Sequence, residues 1–266
     1  MIHLKSGPEI DTIARAGAII AEVLEQVREE AVPGVSTARL DRIAEELIRE
    51  HAGAEPAFKG LYGFPASLCT SINEEVVHGI PSEHRMLQSG DLVSLDLGVR
   101  LEGYYADSAI TVAVGEVSRE AARLLSVTEE ALEAGIAEAD PGGHLGDIGG
   151  AIQAVVEEAG YSVVRELVGH GVGHAAHEDP QVPNYGRRGR GRRLQEGLVI
   201  AIEPMVNVGG RSIRTLPDDW TVVTADGSLS AHFEHTVAVT AEGPRVLTTP
   251  PVRAAARRRE AGGEVG

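Results

Sequence analysis

The 266-residue sequence contains a single cysteine, Cys69. One thiol excludes an internal disulfide framework and any cysteine-rich zinc module, and it agrees with a reducing compartment. Aromatic residues are also scarce: five Tyr, three Phe and one Trp. An apolar pocket must therefore be built from few large rings. Positive charge is in deficit, with 24 Lys and Arg against 40 Asp and Glu and a formal net charge of -16. That balance opposes general binding to nucleic acid or an anionic membrane, so any such contact must be local. No apolar run approaches the roughly 18 residues that a membrane-spanning helix needs. The first twenty residues carry Lys5, Glu9, Asp11 and Arg15, unlike the apolar core of a signal peptide. A cytoplasmic protein without a membrane span is expected.

What is present is patterned. Apolar residues recur at helical spacing over residues 8–30 (Ile10, Ile13, Ala14, Gly17, Ile20, Leu24, Val27), and Pro33-Gly34 ends the segment. Ser36 or Thr37 then caps a second helix running to about His51. Strands are predicted at Ser67–Thr70, Val76–Val77, Leu92–Val99 and Gly103–Val114. Two more helices follow at about 118–138 and 144–159, then strands near 163–168, 197–203, 220–224 and 232–240. Helix, helix, strands thus occurs twice. "VPGVSTARLDRIAEELIREHAG" (32–53) and "DPGGHLGDIGGAIQAVVEEAG" (140–160) both begin Pro-Gly and end Ala-Gly. A single domain over 1–249 is expected, made of related halves at about 1–115 and 116–249, with a mostly antiparallel sheet covered by helices. A site between the halves would draw ligands from both. Residues 250–266 lack apolar periodicity beyond Val252 and are expected to form a disordered basic tail.

Within "DLVSLDLGVRLEGYYADSA" (91–109), Asp96 and Asp107 stand in a predicted hairpin. With Leu101 and Glu102 as the turn, the two aspartates face each other. Opposed residues have Cβ atoms about 4.5–5.5 Å apart, where like charges destabilise a sheet, so a cation should lie between them. Three further stretches set metal-competent side chains in apolar or Gly-rich strands: "LVGHGVGHAAHEDP" (167–180), "GLVIAIEPMVNV" (197–208) and "SAHFEHTVAVT" (230–240). Glu203 follows the apolar run 198–202, and Glu234 precedes His235-Thr236-Val237. A buried carboxylate must be paired, neutralised or bound to a cation. Gly169, Gly171 and Gly173 make a helix around His170 improbable, so His170 and His174 are not the helical pair of a zinc protease. In an extended strand His170, Val172 and His174 would share one face, with bare glycines admitting another backbone. Four carboxylates and one imidazole form a hard, oxygen-rich set that suits two divalent ions about 3.5–4 Å apart. Hydrolysis by a metal-activated hydroxide is the chemistry such a set supports. Glu203 is the candidate proton acceptor.

"GFPASLCTSINEEVVHGIP" (63–81), the Asp96/Asp107 spacing, "GHGVG", "HEDPQVPNYG", "IEPM" and "EHT" occur here in one order over residues 8 to about 249. In this the chain resembles type I methionine aminopeptidases, which remove the initiator methionine from nascent proteins. The resemblance implies the pita-bread fold, an α+β pseudo-twofold sheet with helices outside. It also implies that Asp96, Asp107, His170, Glu203 and Glu234 bind two divalent ions, with Asp107 and Glu234 bridging. Oxygen ligands with one imidazole accept manganese, iron, cobalt or zinc. His78 corresponds to the histidine that contacts the scissile amide, and His177 to the one that hydrogen-bonds the substrate carbonyl. Phe64, Cys69 and Trp220 fall at the methionine pocket, with Phe58 nearby. Leu61 and Ala176 stand where relatives often carry an aromatic or larger side chain, and Leu167 replaces a usual aromatic, so a wider or reshaped pocket is expected.

Two competing classes are weighed against this. A pita-bread pseudoenzyme would lack metal ligands, and all five are present. A proline-directed peptidase of the same fold is disfavoured by chain length and by the 63–81 segment. Arg187, Arg188, Arg190, Arg192 and Arg193 cluster in "YGRRGRGRRLQEG" (185–197). Such a run is a solvated loop or, with the tail arginines, a local patch for ribosomal RNA. Without an evident interface helix, a monomer is expected.

Overall fold

The computed structural model describes residues 2–249. Four helices form where periodicity and punctuation place them: α1 Gly7–Glu30, α2 Thr37–Glu50, α3 Arg119–Ala137 and α4 Leu145–Glu158. Each start is fixed by side-chain or backbone partners for otherwise orphaned amides. Ser6 N–H donates to Glu9 Oε2 at 2.7 Å, Ser36 Oγ accepts from Arg39 N–H at 3.3 Å, and Ser118 Oγ accepts from Ala121 N–H at 3.1 Å. At α4, His144 N–H donates to Asp147 Oδ2 at 2.6 Å.

Fifteen strands are defined among the described residues, in chain order β1 Ala54–Pro56, β2 Leu68–Ile72, β3 Glu75–Val77, β4 Leu92–Leu101, β5 Tyr104–Ala113, β6 Ser162–Val163, β7 Gly169–Gly171, β8 Glu178–Val182, β9 Val199–Ile202, β10 Met205–Asn207, β11 Ile213–Thr215, β12 Val222–Thr224, β13 Ser230–His232, β14 Glu234–Thr240 and β15 Gly243–Val246. Nine of them make one sheet in the order β1-β4-β5-β14-β9-β7-β8, with β2 also on β4 and β15 also on β14. Every assigned pair in that sheet is antiparallel. Two small sheets, β13-β10-β6 and β11-β12-β3, stand beside it. This is the pita-bread architecture.

The helices bury their apolar stripes in two separate cores. Ile13, Ile20, Val23 and Val27 of α1 and Leu40, Ala44 and Ile48 of α2 pack with Leu95, Leu97 and Val99 of β4. Leu124, Ala131, Ile148, Ile152 and Val156 of α3 and α4 pack with Ile200, Ile202, Val237 and Val239. Each fully buried aliphatic side chain contributes about 1.5–3 kcal/mol. The site lies between these cores, at the seam of β5 and β14.

The two Pro-Gly segments adopt the same local structure. Gly34 (φ 90) and Gly142 (φ 94) both turn in the left-handed region. Gly34 N–H donates to Leu87 C=O at 2.8 Å and Gly142 N–H to Leu194 C=O at 2.9 Å. Thr37 N–H bonds Arg85 C=O at 2.9 Å, and Leu145 N–H bonds Arg192 C=O at 2.9 Å. The receiving segments share a pattern that the sequence reading passed over: Leu87-Gln88-Ser89-Gly90 and Leu194-Gln195-Glu196-Gly197, each followed by a mostly apolar stretch that leads to an acid, Asp96 within β4 or Glu203 just after β9.

The hairpin register corrects one expectation. Asp96 pairs with Ala109, and Asp107 with Gly98. Glu102 (φ 51) and Gly103 (φ 87) form the turn, as expected of a two-residue connection that needs positive φ at both central positions. The aspartates are therefore diagonal neighbours on one face rather than directly opposed, and their side chains still converge. A second correction concerns residues 172–174. The strand stops at Gly171, Val172 is buried in the helix-side core, and Gly173 (φ 145) turns the chain. His174 faces outward and lies 3.0 Å from Glu9 Oε1, away from His170.

Short strands were largely missed: β1, β8, β10, β11, β13 and β15 had no counterpart in the sequence reading. Of the predicted 163–168 segment only Val163 is strand, as the second residue of β6. The tail from residue 250 lies outside the described residues.

Candidate active site

The sheet register assembles the site. Cys69 of β2 pairs with Asp96 of β4, Asp96 with Ala109 of β5, and Ala109 with Glu234 of β14, one row across four strands. His235 pairs with Ile202, so continuing that register by one residue puts Glu203 opposite Glu234. Asp107 lies one step down β5 on the same face as Ala109. His170 enters from β7, where the flanking glycines are obligatory: a Cβ at Gly169 would lie 2.3 Å from Ala201 O and one at Gly171 2.2 Å from Asp179 O.

These side chains converge. One potential ligand atom from each member lies within 4.8 Å of the others in the groups Asp96/Asp107/Glu234, His170/Glu203/Glu234 and Asp107/His170/His177. His170 Nε2 is 3.5 Å from Glu203 Oε1 and 3.8 Å from Asp107 Oδ2. Its Nδ1 is 2.9 Å from Gly171 C=O. A carbonyl can only accept, so Nδ1 carries the proton and Nε2 presents a lone pair to the acids. Burial lowers the His170 pKa to about 4, which keeps the ring neutral. Burial raises Asp96 to about 7. Asp107 is pushed well up by burial and then by the charges of Asp96 and Glu203. Glu203 and Glu234 are likewise pushed well up, chiefly by burial.

Among the described residues, Asp96 Oδ1, Asp107 Oδ1 and Glu234 Oε1 are buried without a hydrogen-bond partner. Buried acceptors left unsatisfied are costly, and a lone pair of imidazole pointed at carboxylates adds to the cost. Divalent cations remove both penalties at once, so the donor set fits them in charge and in hardness.

A cavity of about 290 Å³ opens beside the acids and is lined by them and by Phe58, Leu61, Tyr62, Phe64, Cys69, His78, His177 and Trp220. Phe64 and Trp220 meet edge to face at 5.1 Å. Trp220 is set by Asp218, whose carboxylate accepts from Trp220 N–H at 2.9 Å and Thr221 N–H at 2.8 Å. Phe58 packs over Gly98, where a Cβ would lie 2.6 Å from Phe58 Cε1. Leu61 is on the wall as expected. Ala176 is buried outside the lining, and Leu167 packs with Val76, Val77 and Met205 rather than on the cavity.

His78 has φ 60, an uncommon conformation for a non-glycine residue, and its ring is 6.3 Å from Trp220. Burial and the neighbouring His177 lower its pKa. His177 contacts the His170 ring at 4.4 Å. The five expected ligands, His78, His177 and the pocket residues Phe58, Phe64, Cys69 and Trp220 thus border one cavity, while Ala176 and Leu167 do not.

Two residues were not singled out. Tyr62, in a turn with φ 51 and 74% exposed, stacks on His177 at 5.8 Å. Its signal was the run of turn residues in "GLYGFP". His232 is buried, with Nε2 3.7 Å from Glu203 Oε2. No motif marks it, because β13 and β14 belong to different sheets and its approach to Glu203 arises only from the fold.

A helix-backed antiparallel sheet carrying this acid cluster beside an apolar pocket defines a metallohydrolase of the pita-bread class. Residues 11–241 match metallopeptidase family M24. The methionine aminopeptidase of Clostridium acetobutylicum is 54% identical over 248 residues, 93% of this chain and 99% of that protein. Methionine aminopeptidase 1 of Bacillus subtilis is 52% identical over 248 residues, again 93% and 99%. The crystal structure of methionine aminopeptidase from Thermotoga maritima matches with a TM-score of 0.92 at 43% identity, over 94% of this chain and 100% of that one. The chain belongs to metallopeptidase family M24 and, within it, to the methionine aminopeptidases. No helix among the described residues is long and apolar enough to cross a membrane.

Proposed function

We propose that this protein removes the N-terminal methionine of polypeptides with two divalent ions held by Asp96, Asp107, His170, Glu203 and Glu234, the first choice for shared ligands being Asp107 and Glu234. The observation that carries the reading is the convergence of three partnerless buried carboxylate oxygens, Asp96 Oδ1, Asp107 Oδ1 and Glu234 Oε1, with the Nε2 lone pair of His170, itself near Glu203 Oε1 and Asp107 Oδ2. Divalent ions in such a set supply Lewis acidity toward a carbonyl and bring a water's pKa down toward neutrality.

The chain's own residues would do the rest. Phe64, Trp220, Phe58 and Cys69 enclose an unbranched apolar side chain and exclude water from it. Leu61, smaller than an aromatic, leaves that pocket wider at one wall. His78 and His177 both line the cavity and are the groups assigned to hydrogen-bond the amide and the carbonyl of the first peptide bond. Glu203 is the group to hold the proton taken from water.

The test is release of methionine from Met-Ala-Ser, with Leu-Ala-Ser as control, by protein stripped of metal and reconstituted separately with manganese, iron, cobalt or zinc. Metal-dependent cleavage of the first peptide alone, lost in His170→Ala, supports the reading. Ion binding without cleavage would sink it in favour of a non-catalytic binding role.

We further infer a monomer whose five-arginine loop contacts ribosomal RNA. All five arginines are exposed, although Arg188 pairs with Glu138 and Arg193 Nε donates to Gly142 C=O at 3.3 Å.

A further inference from the structure

Beside Glu203, and not among the residues that line the cavity, lies a histidine that none of the roles above uses. His232 ends β13 and is 1% exposed. Its backbone is clamped to β5: His232 N–H donates to Thr111 Oγ1 at 2.8 Å, and Thr111 Oγ1 donates to His232 C=O at 2.7 Å. Thr111 Oγ1 is itself 2.8 Å from Ser94 Oγ, which ties the clamp to β4. The backbone is therefore tied to β5 and through it to β4, while the ring is not. Among the described residues neither ring nitrogen has a hydrogen-bond partner. The acid nearest to it is Glu203, with His232 Nε2 3.7 Å from Oε2.

The Glu203 carboxylate thus stands between two imidazoles, one toward each oxygen. Toward Oε1, His170 offers a lone pair, because its proton is committed to Gly171 C=O. Toward Oε2, His232 has no such commitment, and its Nε2 is free to carry the proton. A buried N–H beside a carboxylate oxygen makes a charge-assisted bond after a small rotation of either group. Leaving that N–H unmade costs more than the bond itself returns.

We propose that His232 is a positioning residue, donating from Nε2 to Glu203 Oε2 and so directing Oε1 toward His170 and the proposed metal position. It rests on the ligand role proposed for Glu203. Hydrogen-bonded partners of this kind orient a ligating carboxylate, and their loss typically weakens metal affinity by about 10–100-fold.

The test compares the wild-type chain with His232→Leu, which removes the donor, and His232→Gln, whose amide nitrogen restores one. Manganese binding is followed by titration calorimetry, with folding checked by thermal melting. The expected result is at least a roughly tenfold weaker manganese affinity in His232→Leu, largely recovered in His232→Gln. With metal saturating, kcat for Met-Ala-Ser falls in the leucine variant while KM stays within about twofold. Should His232→Leu not fold, His232→Met takes its place on the same criteria. Wild-type affinity in the folded leucine variant, or a glutamine variant as weak as the leucine one, overturns the proposal and leaves His232 a packing residue. A wild-type chain that binds no manganese removes the ligand role of Glu203 and the proposal with it, and that control reads separately from the variants.

Discussion

Lys5 reaches from the segment before α1 to Glu178, its Nζ 2.6 Å from Oε2, with both side chains almost fully buried at 1% and 7% exposure. The other oxygen of Glu178 accepts from the backbone of His174 and Ala175. One ion pair therefore braces the turn that carries His177. Removing one partner of a buried pair strands the other charge at a cost of about 3–5 kcal/mol. Lys5→Met should lower the melting temperature by on the order of 10 °C. Adding Glu178→Gln should recover part of that loss, since the stranded charge is gone. Additive losses in the double variant would show that the pair is not coupled.

Metal removal should make stability depend on pH in a particular direction. Burial raises the Asp96 pKa to about 7 and moves Asp107, Glu203 and Glu234 upward as well. A carboxyl whose folded pKa exceeds its unfolded value binds more protons when folded. The stripped protein therefore loses stability as pH rises from about 4 through the folded value near 7. Bound cations favour the ionised form and cancel that loss. The metal-induced rise in melting temperature should grow between pH 5 and pH 7. A rise independent of pH over that window would show that these carboxyls are ionised without metal.

Gly98 is the floor on which Phe58 sits, and its Cβ would also lie 2.9 Å from Ala57 Cβ. Gly98→Ala should push Phe58 into the cavity and raise KM for Met-Ala-Ser, with manganese affinity unchanged. An unchanged KM would mean that Phe58 does not bound the methionine side chain.

Glu203→Gln preserves the shape of the side chain and removes its capacity to hold a proton. With metal confirmed bound, kcat should fall by about 10²–10⁴. Turnover within threefold of wild type would assign the proton to another group.

Replacing the five loop arginines by alanine should weaken ribosome association and flatten its dependence on salt, because each phosphate contact contributes to the salt slope. Unchanged association at low salt would leave the segment a solvated loop.

The four helices were legible because each combines a 3.6-residue apolar period with a stop or cap that has its own chemistry, such as Pro33-Gly34 or Ser118. The acids and His170 were legible because charge in an apolar strand needs a partner. The hairpin register was not, since Leu101-Glu102 and Glu102-Gly103 are adjacent choices and only the demand for positive φ separates them. Three-residue strands such as β10 and β13 carry no period of their own, and their pairing decides them. His232 matched no motif, and its closeness to Glu203 arises from strands that meet only in three dimensions. The Leu-Gln-x-Gly pair was visible in the sequence and would have linked Asp96 to Glu203 directly.

The seam between β5 and β14 is narrow in backbone pairing, confined to Ala109 with Glu234 and Ser108 with His235. Side-chain hydroxyls extend it: Thr236 Oγ1 bonds both the N–H and the C=O of Asp107, and Ser108 Oγ donates to Glu234 C=O at 2.6 Å. Asp107 and Glu234 come from opposite sides of this seam. On the proposed assignment, a cation shared by these two residues rivets the β-sheet where its ladder is only two residue pairs long. Amide exchange on β5 and β14 should then slow when metal is added, in step with the appearance of activity: the ion that equips the enzyme for hydrolysis is also what closes its sheet.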